Sequence, residues 1–170
     1  METTKEYIFE KEVNTPIELL FNVWTKGEHL EKWFGPAGFQ IMVPKLELMP
    51  GGTFHYCMKA LTGYEMWGKF VYQEIIPNEK LQFVTSFSNA EEGLSRHPMS
   101  ETWPIEVLST VYFKEENGKT MLRMTASPIN ASDEECTTFA SSYDAMTMGW
   151  NGTFAQLETY LISIQQTLKT

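Results

Sequence analysis

The chain has 170 residues, 42% hydrophobic and 14% aromatic, enough to bury one sizeable core. A formal net charge of -9, with Arg96 and Arg123 the only arginines, argues against a phosphate-backbone partner. Two cysteines, Cys57 and Cys136, make no disulfide framework and no metal-ligand spacing, and no apolar run reaches membrane-spanning length. The first six residues carry no apolar signal region, so a reducing cytoplasm is the expected compartment.

Residues 5–13 alternate. Tyr7, Phe9 and Val13 share one face with Lys11, while Ile8 sits among Glu6, Glu10 and Glu12 on the other, as in a strand near a sheet edge. Thr15-Pro16-Ile17-Glu18 reads as the N-cap, first helical position and capping-box acid of a helix. Ile17, Leu20, Phe21 and Trp24 give that helix its stripe. A second short helix over residues 28–34 stops at Gly35-Pro36. Strands then follow over residues 40–48, 53–60, 65–76 and 80–88, separated by Pro50-Gly51-Gly52, Thr62-Gly63 and Pro77-Asn78-Glu79. Residues 89–104 form a long connection of the kind that is often functional or mobile. Asn117-Gly118 joins strands over 105–114 and 120–127 as a hairpin.

Residues 131–170 close the chain as a long amphipathic helix. Phe139, Tyr143, Met146, Trp150, Phe154, Leu157, Leu161, Ile164 and Leu168 recur at steps of three or four. Ser132-Asp133-Glu134-Glu135 is a capping box with acids in the first turn. Gly149 and Gly152 predict a break between a weaker front piece and a firm final helix. The expected architecture is a single α+β domain over residues 1–170. A curled antiparallel sheet of six to seven strands wraps the final helix, and two short helices after the first strand close one end.

Four segments carry a resemblance. They are Trp24-Thr25-Lys26-Gly27-Glu28-His29-Leu30-Glu31-Lys32-Trp33-Phe34-Gly35-Pro36, Met49-Pro50-Gly51-Gly52-Thr53-Phe54, Gly68-Lys69-Phe70-Val71-Tyr72-Gln73-Glu74-Ile75-Ile76-Pro77 and Gly149-Trp150-Asn151-Gly152-Thr153-Phe154-Ala155-Gln156-Leu157. In that order they resemble the family of activator-of-heat-shock-protein-90-ATPase homologues, within the START-like (SRPBCC) superfamily. The resemblance implies a helix-grip fold. It does not imply one activity, because such folds host many. Glu47-Leu48-Met49 stands where many relatives carry Asp-x-Arg. The extra amino-terminal domain of the eukaryotic chaperone activators is also absent, which weakens a transfer of the chaperone role.

The gap between final helix and sheet is the expected site. Cys57, Trp67, Phe83, Phe87, Met124, Met146, Trp150 and Phe154 are read as lining it, each against the competing reading of an ordinary filled core. Leu157, Leu161 and Ile164 are expected to fill the core instead. Arg96, in Arg96-His97-Pro98, is read as a cationic lip for a carboxylate or phenolate headgroup, or else as a loop arginine tied to a surface acid. Arg123 is expected on the outer face with Met121 and Thr125, opposite Leu122, Met124 and Ala126. His55, Glu65, Glu74 and Glu106 are candidates for acid–base work if enclosed. No nucleophile–base set, metal triad or phosphate loop is legible, and no cofactor is expected.

Three functions follow in order. The first is binding of a small apolar or amphipathic molecule, as a monomer or homodimer without membrane insertion. The second is a polyketide cyclase- or aromatase-like enzyme. The third, implied by the family name, is regulation of a chaperone ATPase.

Overall fold

One antiparallel sheet carries most of the chain between Tyr7 and Ile129. The structure is a computed structural model and describes residues 6–168, with side chains to residue 166. The expected start of the first strand at Lys5, the residues before it, the side chain of Leu168 and the last two residues lie outside the described part. Strand β1 (Tyr7–Val13) leads into helices α1 (Ile17–Thr25) and α2 (Gly27–Trp33). Strands β2 (Phe39–Leu46), β3 (Thr53–Ala60), β4 (Glu65–Ile76) and β5 (Lys80–Ser88) then meander. After β6 (Leu94–Ser95) come β7 (Glu106–Glu116) and β8 (Lys119–Ile129), then α3 (Asp133–Ala140) and α4 (Tyr143–Leu168). The spatial order is β1-β8-β7-β5-β4-β3-β2, with β6 paired to β5. This is the expected α+β helix-grip fold, and its one unforeseen strand is β6, inside the long connection.

The turns follow their chemistry. Asn117 and Gly118 both take positive φ, 55° and 78°, between the paired residues Glu116 and Lys119. That is the backbone a two-residue hairpin of matching twist requires. The edge strand β2 carries Pro44 where its register shifts between Met42 and Lys45, as a residue without an N–H demands.

Two helix boundaries differ from expectation. Thr15 does not cap α1. It is buried, its carbonyl accepts from Thr120 Oγ1 at 2.8 Å, and its hydroxyl accepts from Gln165 Nε2 at 2.8 Å. Pro16 takes the N-cap position, and the Ile17 N–H donates to Glu115 Oε1 at 2.8 Å. A carboxylate from the β7–β8 hairpin therefore satisfies the free amide, which local pattern cannot foresee. The break in the final helical stretch also moves. The capping box forms as expected, with Glu135 N–H on Ser132 Oγ at 3.1 Å and Ser132 N–H on Glu135 Oε1 at 2.9 Å. The chain turns at Ser141-Ser142, whose hydroxyls both donate to the Thr138 carbonyl, at 2.9 and 2.8 Å. Such side chains compete with helical bonds. Helix α4 then runs unbroken through Gly149 and Gly152. Each glycine costs about 1 kcal/mol of helix propensity, which burial of Phe154, Leu157 and Leu161 outweighs.

Two glycines give opposite expectations. A Cβ at Gly152 meets nothing within 4 Å, whereas one at Gly52 would collide with the Glu47 carbonyl oxygen. Gly152→Ala should stabilise the fold by about 0.5–1 kcal/mol, and Gly52→Ala should destabilise it by roughly 2 kcal/mol. Urea unfolding of the two variants checks both signs.

Candidate functional site

Strand pairing sets the inner face of the sheet in rungs. Tyr56, Gly68 and Phe87 form one rung; Phe54, Phe70, Thr85 and Val107 the next; Tyr72, Phe83, Ser109, Ala126 and Tyr7 a third. Above these rungs lies a partly open cavity of about 370 Å³. Met146, Gly149, Trp150 and Thr153 of α4 roof it. Phe34-Gly35-Pro36 lines one side, and Trp103-Pro104-Ile105 with Phe139 lines another. The lining is mostly aromatic and aliphatic, and among the described residues no charged side chain belongs to it.

Fixed contacts hold the walls. Phe70 and Phe83 stack at 4.1 Å with planes 6° apart. Thr153 Oγ1 and Gln156 Nε2 both donate to the Gly35 carbonyl, at 3.2 and 2.7 Å, pinning the α2–β2 connection to α4. On the other side the long connection is strapped to α3. Arg96 Nη1 donates to Glu135 Oε2 at 3.0 Å and to the Glu101 carbonyl at 2.9 Å, and Thr138 Oγ1 donates to Thr102 Oγ1 at 2.8 Å. Trp103 packs on Phe139 at 5.4 Å, and the His97 ring bridges Phe87 and Trp103 at 4.7 and 6.0 Å. Partial burial holds the His97 pKa below its ordinary value.

Of the residues read from sequence as lining the gap, Phe83, Phe87, Met124, Met146 and Trp150 come together on this cavity. Phe154 does not line it. It is fully buried in an aromatic cluster with Phe9, Trp24, Trp33 and Trp150 at 5.4–6.4 Å, so the solid part of α4 begins one turn earlier than expected. The placement of Cys57 and Trp67 is corrected outright. They face each other in register on the opposite side of the sheet. Phe54 and Tyr56 point inward, so period-two alternation sends His55 and Cys57 outward. There His55 stacks on Trp67 at 5.0 Å, and His55 Nε2 lies 3.1 Å from the Asn89 carbonyl. Residues 89–93 cover this outer cluster, with Lys69 Nζ donating to the Glu92 carbonyl at 2.7 Å. Cys57 is fully buried and its Sγ donates to Glu65 Oε2 at 3.5 Å. Burial, then the Glu65 carboxylate, pushes its thiol up to about 11.

Arg96 is outside the cavity lining and is occupied by Glu135, so the surface-acid alternative describes its contacts. Arg123 lies on the outer face as expected, beside Glu10 across the β1–β8 ladder. Glu65, Glu74 and Glu106 stay off the cavity, and Glu74 pairs with Lys80 at 3.0 Å. Sequence reading did not single out Tyr7, Tyr56 or Ser109 as site residues. Tyr56 had one available signal, the Gly68 that faces it across β3–β4. A Cβ at Gly68 would lie 2.5 Å from the Tyr56 hydroxyl, so the phenol needs a glycine beneath it. Among the described residues no three His, Cys, Asp or Glu side chains gather to hold a metal ion, and no helix is long and apolar enough to cross a membrane.

A sheet gripping a long C-terminal helix across an apolar cavity is the helix-grip fold, which defines the class of protein to which this chain's architecture belongs. Within that class the chain belongs to the family described as Activator of Hsp90 ATPase homolog 1-like protein, whose model matches residues 14–162. A comparison with curated protein sequences found no match. Solved structures with the same fold include a crystal structure from Mycobacterium smegmatis, at TM-score 0.75 and 17% identity, covering 95% of this chain and 93% of that one. A solution structure from Staphylococcus epidermidis superimposes at TM-score 0.75 with 20% identity over 96% of this chain and 93% of that one. The AHSA1 protein of Silicibacter pomeroyi does so at 0.66 and 18%, over 93% and 98%.

The thiols and the strap give two expectations. At pH 8 a disulfide reagent should modify the half-buried Cys136 readily and Cys57 only on unfolding, as timed thiol release would record. The Ser132 backbone N–H, and then Arg96, hold the Glu135 carboxyl below its ordinary 4.5. A depressed carboxyl contributes stability above its unfolded value and loses it as pH falls through the folded one. Glu135→Gln should therefore lower stability at pH 7 and flatten the acid limb below 4.5, measured by denaturation against pH.

Proposed function

We propose that this protein, a single START-like domain, binds a small apolar or amphipathic molecule between α4 and the sheet. The observation that carries the reading is the cavity of about 370 Å³ itself, apolar-lined and left unfilled by an otherwise close-packed aromatic interior. Its size falls in the range of small-molecule sites, roughly 300–1,000 Å³, and close-packed interiors leave few spaces this large. Phe83, Phe87, Met124, Met146 and Trp150 are the residues proposed to touch the ligand. The reading suits a soluble protein of a reducing compartment, in keeping with two unpaired cysteines.

The cyclase-like enzyme takes second place. It requires an acid–base group enclosed with its substrate, and His55, Glu65, Glu74 and Glu106 all lie off the cavity lining. Chaperone regulation rests on the family's description alone, and binding to the chaperone with a changed ATPase rate would support it.

Native mass spectrometry and solvent extraction of the purified protein test the binding reading. A chain that carries nothing, and takes up no apolar probe at micromolar concentration, overturns it. Ala126 is buried at the cavity floor between Tyr7 and Ser109 in register. Ala126→Phe should fill the space, keep the native circular dichroism spectrum, and weaken probe binding about tenfold or more, a loss near 1.4 kcal/mol.

A further inference from the structure

We propose that the cavity takes an uncharged molecule whose ketone, ester or ether oxygen accepts a hydrogen bond from the Tyr56 hydroxyl. This deepens the binding reading above and rests on it. The phenol is aimed by packing. Its ring is held by Phe34, Phe54 and Phe70 at 5.1, 5.0 and 5.8 Å, and its hydroxyl end lies over the bare Cα of Gly68. No hydrogen bond among the described residues uses Tyr56 Oη. The hydroxyl is not sealed in the core but opens on the cavity, where an acceptor oxygen can take the bond that no protein group uses. Burial raises the Tyr56 pKa, so the group remains a protonated donor across the working pH range.

Charge is absent where a carboxylate would need it. The cavity lining holds no Lys, Arg or His. Arg96 is bound by Glu135 and the Glu101 carbonyl, and His97, with its pKa lowered and its Nδ1 accepting the Met99 N–H, is neutral at pH 7. A carboxylate entering this space would lose its hydration and meet only neutral donors, whereas a ketone loses little and is satisfied by a single such bond. Ser109, two rungs along the same face, also shows no hydrogen-bond partner, and it serves as the control position.

The test uses 2-acetylnaphthalene, 2-naphthoate and 2-ethylnaphthalene, titrated by calorimetry into the full chain at pH 7.5. The ketone should bind tightest, with the carboxylate about tenfold or more weaker. Tyr56→Phe should weaken the ketone by about fivefold and leave the hydrocarbon within about twofold. It breaks no internal bond, so its melting temperature should not fall. Carboxylate binding equal to or tighter than the ketone overturns the proposal. So does a ketone preference that survives Tyr56→Phe, or one that Ser109→Ala removes instead. If the hydrocarbon binds and the ketone has no advantage, the acceptor assignment fails while cavity binding stands. If none of the three binds, both fail.

Discussion

The structure depends on how one end of α4 is clasped. Trp150 and Phe154 sit between Phe9 of the sheet and Trp24 and Trp33 of the two short helices, with ring centroids 5.4–6.5 Å apart. Large rigid rings set a minimum separation between helix and sheet as well as an attraction. Leu157 and Leu161 fill that separation further along, but the turn with Met146 and Gly149 offers less side-chain volume. The cavity is where the clasp ends and the filling stops. The clasp is tight enough that Trp24 Nε1 is the one fully buried side-chain nitrogen or oxygen without a hydrogen-bond partner among the described residues.

The long connection between β5 and β7 does two jobs with its two halves. Residues 89–95 fold over the outer face, where they cover His55 and Trp67 and add β6 to β5. Residues 96–105 cross to the inner side and close the cavity against α3. One polypeptide segment thus seals apolar groups on both faces of the same strands. Two of its charged side chains serve the sealing: the Glu92 carboxylate pairs with Lys45 while its carbonyl takes Lys69, and Arg96 pairs with Glu135. Among the described residues no charged side chain lines the cavity, and its polar groups are hydroxyls and indole N–H donors.

Much of this was legible from residue order. Period-three-and-four spacing identified α4, period-two alternation placed Leu122, Met124 and Ala126 inward with Arg123 outward, and Asn117-Gly118 marked its hairpin. These signals work because one face of each element meets water. The same logic failed on β3 and β4. Cys57 and Trp67 look like core residues, but Cys57 is buried beside Glu65 and Trp67 is half-buried against His55, both on the far side of the sheet. Where both faces of a strand are sealed, alternation no longer says which face is inside.

Local residue patterns were enough for every strand but β6, for the order of the elements, for the capping box at Ser132 and for the family, because propensity, turn chemistry and periodicity are local properties. Tertiary structure decided the rest: the cap that Glu115 supplies to Ile17, the break at Ser141-Ser142, and the division of α4 at Trp150. It also decided which aromatic rings face empty space and which face one another, and left the Tyr56 hydroxyl on the cavity wall above Gly68. Those outcomes depend on distances between residues far apart in the chain. Closure of the sheet around the helix sets such distances, and no local pattern encodes them.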